Sequence, residues 1–289
     1  METSEIIKKV RQIEIKSRGL SANIFAGSYK TAFKGHGMSF AEVREYQYGD
    51  DVRDIDWNVT ARQNKPHIKI FEEEREMTVM LLIDVSGSRE FGTSIRTKQE
   101  QITEIAATLA FSTIQNNDKI GVVFFSDRIE KYIPPQKGKK HVLAIISELL
   151  KFEPVQRGTD LEKAIRYVSN AQKKRCTTFL ISDFCDEKDY QQALTIASSK
   201  HDLVAIQVYD PREKTLPNVG LMRVEDAESR MERWVDTSSR RVRHMYSEWW
   251  NRMELKMKES FLHSRVDNVS ISTDEDFVPA LLTLFKKRI

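Results

Sequence analysis

The sequence Met77-Thr-Val-Met-Leu-Leu-Ile-Asp84-Val-Ser86-Gly-Ser88 decides the fold of this chain. Its first part, residues 77–83, is an almost continuously apolar run, which is typical of a strand buried on both faces of a parallel sheet. Apolar residues at helical spacing follow over 102–114, and strand and helix patterns then alternate along the chain. We therefore predict an α/β fold with a doubly wound, mostly parallel sheet, because this alternation implies right-handed crossovers of Rossmann type.

The remaining patterns divide the chain into two parts. After the first strand and helix we predict strands at 120–125, 128–133, 177–182 and 203–209, and helices at 142–150, 161–168 and 190–198. Towards the C-terminus we predict a hairpin of 219–224 and 232–237, a long helix at 239–261, a strand at 266–272 and a closing helix at 277–285. Before the first buried strand, only a helix at 5–17 and short strands at 28–33 and 67–71 stand out. We therefore expect an N-terminal segment, 1–75, and an α/β domain, 76–289, with the hairpin and long helix inserted at about 215–264.

Composition excludes several classes of protein. With 289 residues, 40% hydrophobic and 31% charged, the chain can bury a sizeable core and is not of a disordered or low-complexity type. A net charge of +3 argues against a nucleic-acid partner, although the predicted long helix mixes basic and aromatic residues. Two cysteines cannot form a disulfide framework. The longest strictly apolar run is 79–83, against about 20 residues for a membrane span, so we expect a cytoplasmic protein without direct membrane insertion.

Oxygen-bearing side chains follow the predicted strands. Asp84, Ser86 and Ser88 come directly after the first buried strand, and Asp183 follows a later one. Thr159 stands just before a predicted helix, on the same sheet edge if the crossovers are right-handed. Ligands of open α/β sheets bind at this carboxyl edge, and Mg²⁺ prefers oxygen ligands. The sequence therefore favours a divalent-cation site there.

Structural alternatives exist for each of these residues. Ser86 and Ser88 can turn the chain and cap a helix, and Thr159 with Glu162 fits a capping box. Asp183 alone can cap a helix or form an ion pair. The order of the three elements along the chain, each beside a buried strand, makes us favour the metal site.

The Asp84-Val-Ser-Gly-Ser88 element, with Thr159 and Asp183, resembles the metal-ion-dependent adhesion site of von Willebrand factor A domains. The resemblance covers about residues 76–272. It implies that Asp84, Ser86, Ser88, Thr159 and Asp183 surround Mg²⁺ or another divalent cation such as Mn²⁺. It also implies that a protein ligand supplies an acidic residue to the metal.

The N-terminal segment carries a second resemblance. Arg44-Glu-Tyr-Gln-Tyr-Gly-Asp-Asp-Val-Arg-Asp-Ile-Asp-Trp57, followed by Ala61-Arg62, is similar to the signature of a bacterial family of unknown function. Members of that family join this segment to a von Willebrand A-like domain and are associated with MoxR-type AAA+ ATPases. The resemblance implies such an ATPase as partner. The chain departs from the family pattern at Ser39 and at Arg89, which sets a cation beside the expected metal and could pair with Glu90.

The acidic and basic residues of this signature also have a structural interpretation. We expect them to form a polar network around Trp57 rather than a catalytic pair; they are Asp50, Asp51, Asp54, Asp56, Arg44, Arg53 and Arg62.

Three functions remain open from the sequence. The first is a non-enzymatic, metal-dependent protein-binding module, an adaptor of a MoxR-type ATPase in protein remodelling or complex assembly. The second is a metal-assisted phosphohydrolase using Asp84 and Asp183, which lacks an Asp-x-Asp pair and an evident nucleophile. The third is a scaffold whose metal site holds no metal, which the cationic Arg89 would favour. Walker A, Gly-x-Gly-x-x-Gly and Gly-x-Ser-x-Gly motifs are absent from the sequence, so we expect the ATPase, and not this chain, to bind ATP.

Overall fold

The computed structural model describes residues 39–72, 77–93 and 96–288. Its strands are β1 (Ser39–Glu45), β2 (His67–Glu72), β3 (Thr78–Asp84), β4 (Lys119–Phe125), β5 (Ile129–Gln136), β6 (Thr177–Ser182), β7 (Asp202–Tyr209), β8 (Leu221–Glu225), β9 (Glu232–Asp236) and β10 (Asp267–Ser272). Its α-helices are α1 (Trp57–Gln63), α2 (Lys98–Gln115), α3 (Lys139–Lys151), α4 (Leu161–Ala171), α5 (Gln191–Lys200), α6 (Arg240–His263) and α7 (Phe277–Lys286). The described residues between 39 and 77 form one compact unit, and those from 78 onward belong to another.

The larger unit is built on a six-stranded sheet of order β10-β7-β6-β3-β4-β5. All neighbouring strands are parallel except β4 and β5. From β3 the chain passes to β4 on one side and then returns to β6 on the other side of β3. The predicted doubly wound, mostly parallel sheet is therefore confirmed, and its winding reverses between β3 and β6.

Hydrophobic burial explains why these segments pair. In β3 every side chain from Val79 to Asp84 is buried, and all six of β6 are buried. In α4 the buried residues recur at helical spacing and are Leu161, Ala164, Ile165, Val168 and Ser169. Strands apolar on both faces thus lie between helices with one apolar stripe, as the sequence pattern indicated.

The edge strand β5 differs from its prediction. We expected it to end before Pro134, but it continues through Pro135 to Gln136. The pairing with β4 shifts register between Ile120 and Val122, so the two prolines lie opposite Gly121. A proline has no N–H to donate, and an edge strand with an irregular register tolerates that loss.

The hairpin and the long helix lie where the sequence placed them. β8 and β9 pair in register from Leu221 with Asp236 to Glu225 with Glu232, and α6 follows. Most side chains of the two strands are exposed. Every helix in the described ranges is too short or too polar to cross a bilayer.

The smaller unit contains β1 and β2, which pair antiparallel, and the short helix α1. The strand expected at 67–71 is present as β2, whereas β1 and α1 were not predicted. Asp56 caps α1 by accepting hydrogen bonds from Asn58 N and Val59 N. The helix predicted at 5–17 and the strand at 28–33 lie outside the described residues.

The polar network expected around Trp57 is wrong. The side chain of Trp57 is 67% exposed, and the charged residues form separate local pairs. Arg44 contacts Asp50 through two hydrogen bonds of 2.9 and 2.8 Å, while Arg53 pairs with Asp51 at 2.9 Å. Residues close in sequence pair here because the tight turns between β1 and α1 bring them together.

Candidate metal centre

Asp84 is the last residue of β3 and is buried at the carboxyl edge of the sheet. Its carboxylate accepts hydrogen bonds from Ser86 N at 2.9 Å and from Ser182 Oγ at 2.6 Å. Burial, with repulsion from Asp183, raises the pKa of Asp84 to about 6. The fold thus holds the Asp84 carboxylate in a fixed orientation and shields it from solvent.

The two serines of the Asp-x-Ser-x-Ser element lie beside a short 3₁₀ helix, Gly87–Glu90: Ser86 precedes it and Ser88 is within it. Ser86 Oγ and Ser88 Oγ are 3.1 Å apart. Ser86 begins this helix, but its side chain makes no capping hydrogen bond. The capping alternative is therefore wrong for Ser86, and its hydroxyl lies against that of Ser88.

Asp183 directly follows β6, next to Asp84 across the sheet's reversal point. Lys98 Nζ donates to Asp183 Oδ2 at 2.8 Å and to Glu213 Oε1 at 2.5 Å. Burial opposes ionisation of Asp183, but Lys98 outweighs it, so the pKa of Asp183 lies below its usual value. The ion-pair alternative considered for Asp183 is thus confirmed; the second carboxylate oxygen, Oδ1, accepts from Cys185 N at 3.1 Å.

Thr159 lies in a loop that two backbone hydrogen bonds fix to the same edge. Gly87 N donates to Arg157 O at 2.9 Å, and Asp160 N donates to Ser126 O at 3.0 Å, just beyond β4. The residue that caps α4 is Asp160, which accepts from Lys163 N. The capping-box interpretation of Thr159 is therefore wrong.

The hydroxyl of Thr159 instead contacts Glu228 at the turn of the β8–β9 hairpin. Thr159 Oγ1 donates to Glu228 Oε1 at 2.7 Å. Partial loss of water, with the charges of Asp84 and Asp183, raises the pKa of Glu228 to about 7. The five predicted residues and Glu228 therefore belong to one oxygen-rich cluster at the carboxyl edge of the sheet.

The chemistry of this cluster suits a small divalent cation. A cavity of about 10 Å³, the room needed by one water-sized particle, is lined in part by Asp84, Ser88 and Asp183. Arg89 and Lys98 line the same cavity, so two cationic side chains face its two carboxylates. Carboxylates and hydroxyls are hard oxygen donors of the kind that Mg²⁺ prefers.

Carboxylates alone do not complete this site. Within 39–72, 77–93 and 96–288, no three His, Cys, Asp or Glu side chains are grouped so that they could hold a metal ion. A cation at this edge would therefore need the hydroxyls of Ser86, Ser88 and Thr159 as further ligands.

Arg89 lies at the same cavity and is only 5% exposed. Its Nη2 donates to Phe152 O at 2.5 Å, while Nε and Nη1 have no hydrogen-bond partner. Burial lowers the pKa of Arg89, and nearby carboxylates, Glu90 and Asp84 among them, oppose that shift. The pair of Arg89 with Glu90 considered above does not form, since Glu90 contacts Arg157 at 3.4 Å.

Sequence patterns missed three residues of this cluster. Lys98 begins α2 and looks like an ordinary solvated helix residue, although its side chain is 1% exposed. Glu213 and Glu228 stand in connecting segments far along the chain from Asp84. The hairpin itself was predicted, but strand alternation cannot indicate where its turn packs.

Fold and site together define an α/β protein with an oxygen-rich pocket at the point where the winding of its sheet reverses. The chain belongs to the family described as Protein of unknown function DUF58, whose model matches residues 42–255. An uncharacterized protein of Mycobacterium tuberculosis (strain ATCC 25618 / H37Rv) is 28% identical over 231 residues, which cover 79% of this chain and 73% of that protein. The uncharacterized protein YeaD of Bacillus subtilis (strain 168) is 27% identical over 114 residues, covering 39% of this chain and 26% of YeaD.

A solved structure shares the fold. An aerotolerance-related membrane protein from Bacteroides fragilis NCTC 9343 is similar with a TM-score of 0.52 at 15% identity, over 73% of this chain and 99% of that one. The VWA domain of SpRpn10 is similar with a TM-score of 0.42 at 11% identity, over 73% of this chain and 95% of that one. Likeness at such low identity concerns the fold alone.

Proposed function

We propose that this chain is a non-enzymatic protein-binding module whose binding depends on a divalent cation, Mg²⁺ or another such as Mn²⁺. The observation that carries the proposal is the buried pair Asp84 and Asp183 at the reversal point of the sheet, with hydroxyls beside both. Two buried carboxylates this close repel each other, and a cation between them would relieve that repulsion.

Different residues of the chain would bind the ion, orient its ligands and balance their charge. Asp84, Ser86, Ser88, Thr159 and Asp183 would supply oxygen ligands, and Ser182 keeps the Asp84 carboxylate in place through its 2.6 Å hydrogen bond. Lys98 neutralises part of the charge of Asp183. A bound cation would supply a positive charge that attracts an acidic side chain of the protein ligand.

The partner is the second part of the proposal. The signature between Arg44 and Trp57 supports a MoxR-type AAA+ ATPase as the protein that this chain serves, as adaptor in protein remodelling or complex assembly. A cytoplasmic location fits this role and stays a prediction.

Calorimetric titration with MgCl₂ and MnCl₂ tests the metal site. We expect the unaltered chain to bind one ion, and Asp84→Ala and Asp84→Asn to weaken binding by more than about 100-fold, since even groups around metal ligands contribute 10–100-fold. Asp267→Ala is the matched control, because Asp267 begins β10 at the opposite edge of the sheet. Equal affinities for the unaltered chain and both Asp84 variants would contradict the proposal.

Capture of the purified MoxR-type ATPase from the same organism tests the partner. We expect capture in MgCl₂ and its loss in EDTA or with Asp84→Ala. Capture that persists in EDTA would separate partner binding from the metal and refute the mechanism.

A second candidate function is a scaffold that holds no metal. The observation that favours it is Arg89, whose buried guanidinium faces the Asp84 cavity, together with Lys98 on Asp183. These two cations would then take the place of the metal. Titrations without detectable Mg²⁺ or Mn²⁺ binding, combined with unchanged partner capture in EDTA, would select this function.

A further inference from the structure

The side chain of Arg89 lines the same small cavity as Asp84 and Asp183, and only 5% of the residue is exposed. Its Nη2 donates to Phe152 O at 2.5 Å, at the C-terminal cap of α3. Within the described ranges, Nε and Nη1 have no hydrogen-bond acceptor. The guanidinium is therefore held at one nitrogen, and two of its donor groups are left over in a cavity that two carboxylates line.

Lys98, the other cation of this cavity, is held in a different way. Its Nζ donates to Asp183 Oδ2 at 2.8 Å and to Glu213 Oε1 at 2.5 Å, so direct ion pairs balance its charge. Arg89 is attracted by Asp84 but forms no direct ion pair with a carboxylate in the described part of the chain. Lys98 is thus a fixed part of the fold, whereas Arg89 is a cation without a bound counter-ion.

The buried position of Arg89 is unfavourable in a way that a second position would relieve. Taking a guanidinium out of water costs free energy unless its N–H groups find acceptors, and burial accordingly lowers the pKa of Arg89. Two of the carboxylates that oppose this shift, Glu90 and Glu153, belong to exposed residues. Because the long stem of an arginine can carry its charged end outward to water, these glutamates offer the guanidinium a solvated place beside the cavity.

We propose that Arg89 is a tethered cation that competes with the divalent ion for the cavity at Asp84 and Asp183. The guanidinium holds the cavity until it moves out towards the exposed glutamates, and the ion then enters. The inference rests on the proposed function, because it concerns the occupancy of the same site. It differs from the scaffold alternative, in which Arg89 and Lys98 replace the metal permanently; here Arg89 alone exchanges with the metal.

Charge and space oppose occupancy of the cavity by both cations. The cavity measures about 10 Å³, which is room for one water-sized particle. Two positive charges at such short range repel each other strongly where water is scarce. Because Arg89 is attached to the chain, it stays beside the cavity at high effective concentration and lowers the apparent affinity of an ion that needs the same place. Removing its charge should therefore tighten metal binding.

Titration with MnCl₂ measures the competition. We expect Arg89→Met and Arg89→Gln to bind Mn²⁺ at least about tenfold more tightly than the unaltered chain, since both lack the charge. Glutamine keeps an N–H donor for Phe152 O, so it separates loss of the charge from loss of that contact. Arg89→Lys keeps a cation on a flexible stem and should stay within about threefold of the unaltered chain. Arg157→Met is the matched control and should leave the affinity unchanged, because Arg157 is a nearby cation that pairs with Glu90 and is not part of the cavity lining.

Phenylglyoxal, which modifies accessible guanidinium groups, tests the movement of Arg89. Arg89 is 5% exposed in the cavity, and it should become reactive when an ion takes its place. We expect MgCl₂ to raise the rate of Arg89 modification at least about fivefold, measured from peptide masses. Arg53, whose side chain is 90% exposed, is the internal reference, and Mg²⁺ should leave its rate unchanged. In Asp84→Ala, Mg²⁺ should no longer change the rate at Arg89.

The outcomes separate this inference from the proposed function. Mn²⁺ binding that Asp84→Ala abolishes, but that Arg89→Met and Arg89→Gln leave unchanged, would overturn the competition and keep the metal-dependent function. Binding that appears only in those two Arg89 variants would establish the competition and overturn metal dependence in the unaltered chain. Absence of binding in every variant would overturn both. Equal tightening by Arg89→Lys would assign the effect to side-chain shape and overturn the competition alone.

Discussion

Replacing Gly87 by alanine should push the hairpin turn away from the candidate metal centre. The added Cβ would lie 2.0 Å from Ala227 O, against an ordinary contact distance of 3.4–4 Å. Backbone atoms stand on both sides of this contact, so the overlap cannot be relieved by turning a side chain. The turn must move by more than an ångström, and Glu228 must move with it.

That displacement breaks a defined interaction. The hydrogen bond from Thr159 Oγ1 to Glu228 Oε1 is 2.7 Å long and does not survive a shift of this size. Hydrogen bonds to charged groups contribute about 1.5–3 kcal/mol, and overpacking typically costs 1–3 kcal/mol. Because Glu228 is exposed, we take the lower value of each range and expect Gly87→Ala to lower the free energy of unfolding by about 2.5 kcal/mol.

Urea denaturation of the metal-free protein measures this loss. Gly158→Ala is the matched control, because its Cβ would make only ordinary contacts, with Asp127 Cβ at 3.5 Å and with Glu228 Oε2 at 3.8 Å. Hydrogen exchange at 226–231 should increase in Gly87→Ala and not in Gly158→Ala. A stability within 0.5 kcal/mol of the unaltered chain, with unchanged exchange at the turn, would refute the close packing of Ala227 on Gly87.

Three further variants test other parts of the larger unit. Lys98→Met leaves the carboxylates of Asp183 and Glu213 buried without their cation, so it should cost about 3–5 kcal/mol in urea denaturation; a cost below 1 kcal/mol would mean that the buried ion pair contributes little. Burial lowers the pKa of His201 below 6.5, so the folded protein favours the neutral imidazole. This contribution to stability is complete above pH 6.5, and it is lost as the pH falls from 6.5 through the lowered pKa of the folded state. Denaturation at pH 7.5 and 5.5 should show this loss, and His201→Gln should reduce it; an equal loss in the variant would assign it to other groups. Thr97→Ala removes the capping box of α2 and should cost about 1 kcal/mol, whereas an unchanged melting temperature would show that the cap is dispensable.

The sheet could be predicted from the sequence because its buried strands are marked by runs of mostly apolar residues. The run ending at Ile83 and the segment Thr177–Ser182 are buried on both faces, which is typical of a central strand in a parallel sheet. Because β3 and β6 run parallel, their carboxyl ends, and with them Asp84 and Asp183, lie at one edge of the sheet. The prediction that both stand at that edge follows from this topology alone.

The surroundings of the site could not be predicted in the same way. Lys98 reaches Asp183 only because the start of α2 packs against the carboxyl edge, and Glu228 reaches Thr159 only because a hairpin turn folds back over it. Such contacts depend on the packing of loops, which leaves no periodic pattern in the sequence. The smaller unit shows the same limit, since its charges pair within tight turns rather than around Trp57.

The two prolines of β5 have a consequence for the protein's behaviour in concentrated solution. An outermost strand ordinarily offers a row of unused N–H groups to any neighbouring chain, and sheets can then grow from molecule to molecule. Pro134 and Pro135 lack those groups, and the shifted register beside Gly121 distorts the margin further. At these two positions the edge cannot donate hydrogen bonds to an added strand, which disfavours growth of the sheet along this end of β5.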